Sequence, residues 1–196
     1  GFMPVVIDIE TGGFDANRHA ILEMAAVFLD LDEDGLRIAG SWQQAVAPRA
    51  GSAIEEASLK VTGIDPTRPA LSEEETLAEL FSLVRRLQRE ADCQRSIMVA
   101  HNAAFDIKFL NAELRWMKLP QIPWEQAIDT LAIARRRFPG SPASLDALCR
   151  RFGINNDART LHGALLDSEI LAEVYLELIG GRQPDFALSS QPQKTT

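Results

Sequence analysis

The chain has 196 residues, 46% of them apolar, which is enough for one domain with a sizeable core, and it carries 28 acidic against 20 basic residues for a formal charge of −8. That balance argues against broad electrostatic adhesion to nucleic acid, although bound cations can make an acidic region locally positive. No apolar run approaches the roughly 18 residues of a membrane span, and Gly1-Phe2-Met3 leads straight into the first predicted strand, leaving no room for a signal peptide, so a cytoplasmic location is expected. Cys93 and Cys149 have no metal-binding or redox spacing and are expected to be reduced, buried thiols.

Taken in order, Val5-Val6-Ile7-Asp8-Ile9-Glu10 reads as a buried strand whose period of two turns both carboxylates to one face. Two adjacent carboxylates repel. The pair is tolerable around a divalent cation, and such hard oxygen donors suit Mg²⁺ or Mn²⁺. The alternative is an exposed strand end with two solvated acids, and the choice depends on whether other acids arrive at the same place. Thr11-Gly12-Gly13 is a turn. Residues 21–31 and 36–46 are strand-like and joined by Asp32-Glu33-Asp34-Gly35, a hairpin signal, so three antiparallel strands are predicted. Residues 54–61 have helical spacing and stop at Thr62-Gly63, and Ser72 with Glu75 forms a capping box that opens a helix through Leu77, Leu80, Phe81, Val84 and Leu87.

Residues 97–100 form a continuous apolar run, as in a strand covered on both faces, and lead into His101-Asn102-Ala103-Ala104-Phe105-Asp106. Asp106 thereby falls near a helix start just past the carboxyl end of a strand, where open α/β sheets place their ligands. A short strand over 127–129 runs into another helix, with Asp129 as its N-cap. Arg135, Arg136 and Arg137 cannot share one helix face and are expected to be solvated. A helix from Ser144 ends at Gly153, and the last one spans about 163–179. His101 and Asn102 are assigned a structural role bonding the backbone of their loop, with substrate contact as the alternative, while His19 has no partner visible in the sequence. The folded domain is expected over 1–182, with 183–196 a flexible tail or the start of a linker.

His162 and Asp167 are five residues apart, roughly 140° around a regular helix, so one helix cannot aim both at one point. The pattern makes sense with Asp167 facing inward from the helix and His162 in the loop before it. Each residue by itself could equally be a polar surface group.

Asp8-Ile9-Glu10-Thr11, His101 to Asp106, and His162-Gly163-Ala164-Leu165-Leu166-Asp167 together resemble the three signature blocks of the DnaQ-like 3′-5′ exonucleases, the DEDD group in its histidine-containing branch. The likeness covers about residues 1–188. It implies a ribonuclease H-like α/β fold, a mixed five-stranded sheet flanked by helices. It also implies Asp8, Glu10, Asp106 and Asp167 as ligands of two Mg²⁺ (or Mn²⁺) ions, and His162 as general base. Hydrolysis at single-stranded 3′ ends of DNA or RNA would release 5′ nucleoside monophosphates. Thr11, Phe14, Asn102 and Phe105 are candidate substrate contacts, the aromatics as stacking platforms or, alternatively, as core residues. The N-terminal half is most similar to ribonuclease T and implies a homodimer. The C-terminal half, from 104–107 through Arg159 to Tyr175, is most similar to the proofreading epsilon subunit of DNA polymerase III and implies a polymerase partner. Val61 stands where ribonuclease T has an additional aromatic, which Trp124 could partly replace. A non-catalytic nucleic-acid or polymerase-binding module on the same fold, and a metal phosphatase acting on small nucleotides, are the alternatives.

Overall fold

A computed structural model describes residues 1–159 and 163–180. The expected general base His162, the second glycine of the Gly180-Gly181 stop and the expected tail lie outside the described residues.

Five strands form one mixed sheet: β1 (Phe2–Thr11), β2 (Ile21–Asp32), β3 (Gly35–Ala45), β4 (Arg95–Ala100) and β5 (Ala127–Asp129), in spatial order β3-β2-β1-β4-β5. The first three are antiparallel through consecutive hairpin-type connections, whereas β4 is parallel to β1 and β5 to β4. This is the predicted architecture. The central position of β1 explains its composition, because a strand buried on both faces must be apolar on both. Val5, Ile7 and Ile9 point into a layer formed with α2 (Glu73–Glu90) and α3 (Ala103–Trp116), where Leu77, Leu80, Phe109 and Leu110 pack. Val6 points into the opposite layer, where Leu148 of α5 (Leu145–Phe152) and Leu171 and Val174 of α6 (Ala164–Leu178) cover Val27 and Val99. The period of two then fixes the next step. Asp8 and Glu10 follow Val6 on the α6 side, where β1 runs past the packed core.

Local signals set the helix ends. The Ser72 hydroxyl accepts from the Glu75 amide at 3.1 Å and the Ser72 amide donates to Glu75 Oε1 at 3.3 Å, completing the capping box. The short helix α1 (Glu56–Thr62) ends on Gly63, whose φ of 70° suits a residue without Cβ. Asp129 caps α4 (Thr130–Arg137) as predicted, accepting from the Leu131 amide at 3.0 Å.

The expectation of three solvated arginines holds for the exposed Arg135 and Arg137 and is corrected at Arg136, which is half-buried. Arg137 Nη1 donates to the Leu178 carbonyl at 2.5 Å and so ties α4 to the last turn of α6, while Arg136 Nε is buried. Among the described residues no helix is long and apolar enough to cross a membrane. Cys149 is buried and Cys93 half-buried, and both are free thiols.

Candidate active site

Four acids from three elements meet at one end of the sheet. Asp8 and Glu10 come from β1, Asp106 from the first turn of α3, and Asp167 from the first turn of α6. Asp106 and Asp167 are 4% and 5% exposed, unlike solvated surface acids. Asp8, Glu10 and Asp167 each offer a carboxylate oxygen, and these atoms all lie within 4.8 Å of one another.

Burial pushes the Asp8 carboxyl well above the usual carboxylate range, and the neighbouring charges of Glu10, Asp106 and Asp167 push it further. Glu10 is raised to about 8, chiefly by burial and then by Asp167. Burial also raises Asp106, against backbone hydrogen bonds that favour its charged form. One oxygen of Asp8, Oδ2, is buried with no hydrogen-bond partner. Hard oxygen donors, mutual repulsion and an orphaned buried acceptor together fit a divalent cation of the Mg²⁺ or Mn²⁺ type.

The placement of Asp167 depends on a contact that no local pattern reveals. Helix α6 begins at Gly163 without a side-chain cap of its own. Its first amide, on Ala164, donates instead to Glu23 Oε1 at 2.8 Å. Glu23 lies on β2 directly opposite Glu10, so the sheet itself seats the helix that carries Asp167. A second unforeseen residue, Arg159, donates to Asp167 from Nε at 2.6 Å and from Nη2 at 3.3 Å.

The acids sit in a groove of about 420 Å³, which Thr11, Phe14, Asn102 and Phe105 also line, so all the expected site residues among those described come together. Phe14 is 89% exposed, which rules out the core-packing alternative for it. Phe105 packs on Phe109 at 4.9 Å between ring centroids, meets Phe14 edge-on at 6.3 Å and borders the groove. The Thr11 hydroxyl donates to the Gly13 carbonyl at 2.6 Å and so shapes the turn. Asn102 takes φ of 62°, a left-handed conformation that Asn tolerates better than most residues. Its amide donates to Asp129. Val61, on α1, lines the groove and is half exposed; Trp124 is not among the lining residues and does not replace the missing aromatic there.

His101 is structural, as expected. Its Nε2 donates to the Ala143 carbonyl and its Nδ1 faces the Thr130 hydroxyl, both at 2.8 Å, while burial holds its pKa below the usual histidine value. His19 does have a partner: it pairs with Glu55 at 2.9 Å and accepts from the Asp15 amide at 3.1 Å, bracing the turn that presents Phe14. A Cβ on Gly13 would overlap the His19 ring. Gly13→Ala is therefore expected to cost about 1–3 kcal/mol, the usual range for overpacking, read as a lower urea midpoint at unchanged slope. Wild-type stability in that variant would show that the turn is not braced this way.

A mixed sheet of this order places the chain in the ribonuclease H-like fold class, with a carboxylate cluster suited to a metal ion at the carboxyl ends of parallel strands. Comparison with known proteins makes it specific: the RNase_T family, described as exonuclease, matches residues 5–175, and the chain belongs to that family. It is an enzyme, an exonuclease. Ribonuclease T of Vibrio vulnificus (strain YJ016) is 39% identical over 186 residues, covering 91% of this chain and 85% of the relative. Ribonuclease T of Haemophilus influenzae is 39% identical over 207 aligned positions, covering 100% and 90%. The ribonuclease T likeness thus extends beyond the N-terminal half. Among solved structures, the nuclease domain of 3′hExo, a DEDDh family member bound to rAMP, superposes with a TM-score of 0.74 at 21% identity, covering 93% of this chain and 94% of that one.

Proposed function

We propose that the chain is a divalent-metal-dependent exonuclease that shortens single-stranded nucleic acid from the 3′ end and releases 5′ nucleoside monophosphates. The observation that carries this reading is the convergence of the half-buried Asp8 and Glu10 with the buried Asp167, in a groove walled by the exposed Phe14 ring. Asp8, Glu10, Asp106 and Asp167 would hold two Mg²⁺ or Mn²⁺ ions. Such ions supply a lowered pKa for the attacking water and charge stabilisation for the leaving 3′ oxygen.

The chain's own groups do the remaining work. Phe14, with Phe105 behind it, offers a stacking face for terminal bases, worth about 1–3 kcal/mol per base and tolerant of sequence. The turn after Glu10, held by the Thr11–Gly13 hydrogen bond, would receive the terminal ribose. Asn102 borders the same groove. His162 is the general base of this reading, on the strength of its place in the His-Gly-Ala-Leu-Leu-Asp block and a histidine's ability to take a proton near neutral pH. RNA ends are the favoured substrate, on the likeness to ribonuclease T over nine-tenths of the chain. The exonuclease domain is assigned to 1–182.

The test is digestion of matched 5′-labelled single-stranded RNA and DNA with Mg²⁺. A ladder shortening from the 3′ end, faster on RNA, is expected, and no ladder on either substrate would overturn the proposal. Activity on mononucleotides alone would establish the phosphatase alternative. His162→Ala is expected to slow turnover by about 10²–10⁴-fold, the usual worth of a positioned base, while metal binding persists; an unchanged rate would remove His162 from that role.

A further inference from the structure

The guanidinium of Arg159 occupies the Asp167 corner of the acidic cluster. Its side chain is 10% exposed and contacts both oxygens of Asp167, at 2.6 and 3.3 Å. The third contact faces away from the cluster: Nη1 donates to Asp146 Oδ1 on α5 at 2.8 Å, and Asn156 Nδ2 donates to the same oxygen at 2.8 Å. Arg159 is therefore anchored outside the cluster and reaches in. The planar fork of arginine can meet both oxygens of one carboxylate, which a lysine cannot do.

This arrangement has a consequence for metal loading, and it rests on the functional reading above. Asp167 has two oxygens, and the guanidinium contacts both. The same carboxylate supplies one of the three oxygens that converge within 4.8 Å. A divalent ion bound there would also meet a fixed positive charge at close range, where like charges repel.

We propose that Arg159 is a positioning residue that stands in for the cation: it holds Asp167 against the repulsion of Asp8 and Glu10 when no divalent ion is bound, and it competes with the ion for that carboxylate. With an ion bound, Asp146 would retain the guanidinium while its hold on Asp167 loosened. Arg159 borders the groove, but its guanidinium is taken up by Asp167 and Asp146, so its effect is on the readiness of the site.

The experiment titrates Mn²⁺ into the chain without nucleic acid, following free Mn²⁺ by electron paramagnetic resonance, and measures Tm in chelator and in saturating Mn²⁺. Arg159→Met is expected to tighten Mn²⁺ binding, on the order of tenfold from removal of one nearby positive charge, with Arg159→Lys in between. Its Tm should fall below wild type in chelator, and the gap should close in Mn²⁺. An unchanged or weaker Kd, or a Tm gap of equal size in both conditions, would overturn the proposal and leave Arg159 a merely structural residue. Should Arg159→Met fail to fold, Asp146→Asn loosens the anchor while keeping Asp167, the other partner of Arg159. It should tighten binding by a smaller factor, and an unchanged Kd there counts against the proposal equally. Wild type that binds no Mn²⁺ would instead sink the metal-site reading on which this inference rests.

Discussion

Asp8→Asn is expected to reduce exonuclease turnover by about a thousandfold or more, equivalent to about 4 kcal/mol of barrier, while leaving the fold intact. The side chain is nearly isosteric, so the packing around β1 has no reason to change. What changes is the donor set, because Asn places a neutral amide where the cluster supplies a charged oxygen to a cation. Stability should move the other way. In chelator at pH 7.5, the substitution removes an acid that burial and three neighbouring carboxylates all disfavour as an anion. Tm should therefore rise by a few degrees, about 2–4 °C per kcal/mol for a chain of this size. Added Mg²⁺, which should raise the wild-type Tm, should then have little effect. Turnover near the wild-type rate, or a collapsed fold in the variant, would contradict the account.

The second large effect is on stability against pH. Glu10 is raised from 4.5 to about 8, and Asp8 and Asp106 are also raised. A carboxyl with a higher pKa in the folded than in the unfolded chain binds more protons when folded, so its contribution is full below the unfolded value and declines as pH rises to the folded value. Cation-free protein should thus lose stability between about pH 4.5 and 8. His101 acts in the opposite sense, since burial favours its neutral form, but that contribution is complete above the ordinary value of 6.5. The window from pH 7 to 8.5 isolates the carboxylates and stops short of the Cys149 thiol, which burial raises above 9.

Across that window a decline on the order of 1–2 kcal/mol is expected in chelator, given about 1.4 kcal/mol per pKa unit. Saturating Mg²⁺ should abolish it, because the cation binds the deprotonated acids and the folded chain no longer needs the protons. Urea unfolding at the two pH values, with and without Mg²⁺, measures this directly. Stability that is flat or rising with pH in chelator would mean that the acids are not forced together.

Much of this site was legible in the chain because its acids sit where local geometry is decisive. A period of two is enough to put Asp8 and Glu10 on one face, and a helix start just after a strand is enough to bring Asp106 to the end of the sheet. The capping box at Ser72 and the Asp129 cap are likewise local and formed as expected.

What could not be read depends on contacts between distant segments. Glu23 caps α6 from 141 residues away, and nothing around either residue signals it. Arg159 meets Asp167 only because the segment after α5 folds back over the start of α6. The same holds for His19 with Glu55 and for Arg137 with the end of α6. The two aromatics show the limit from another side: periodicity cannot tell a stacking ring from a core ring when the residue lies in a turn. Only the placement of the turn leaves Phe14 exposed while Phe105 packs against Phe109.

The most direct test of the metal-dependent site is anomalous diffraction from crystals grown with Mn²⁺ and a 5′ nucleoside monophosphate. The account predicts Mn²⁺ peaks contacted by Asp8, Glu10 and Asp167, with Asp106 completing the ligand set and the nucleotide base against Phe14. Crystals that bind the nucleotide in the groove but show no Mn²⁺ at these carboxylates would contradict it.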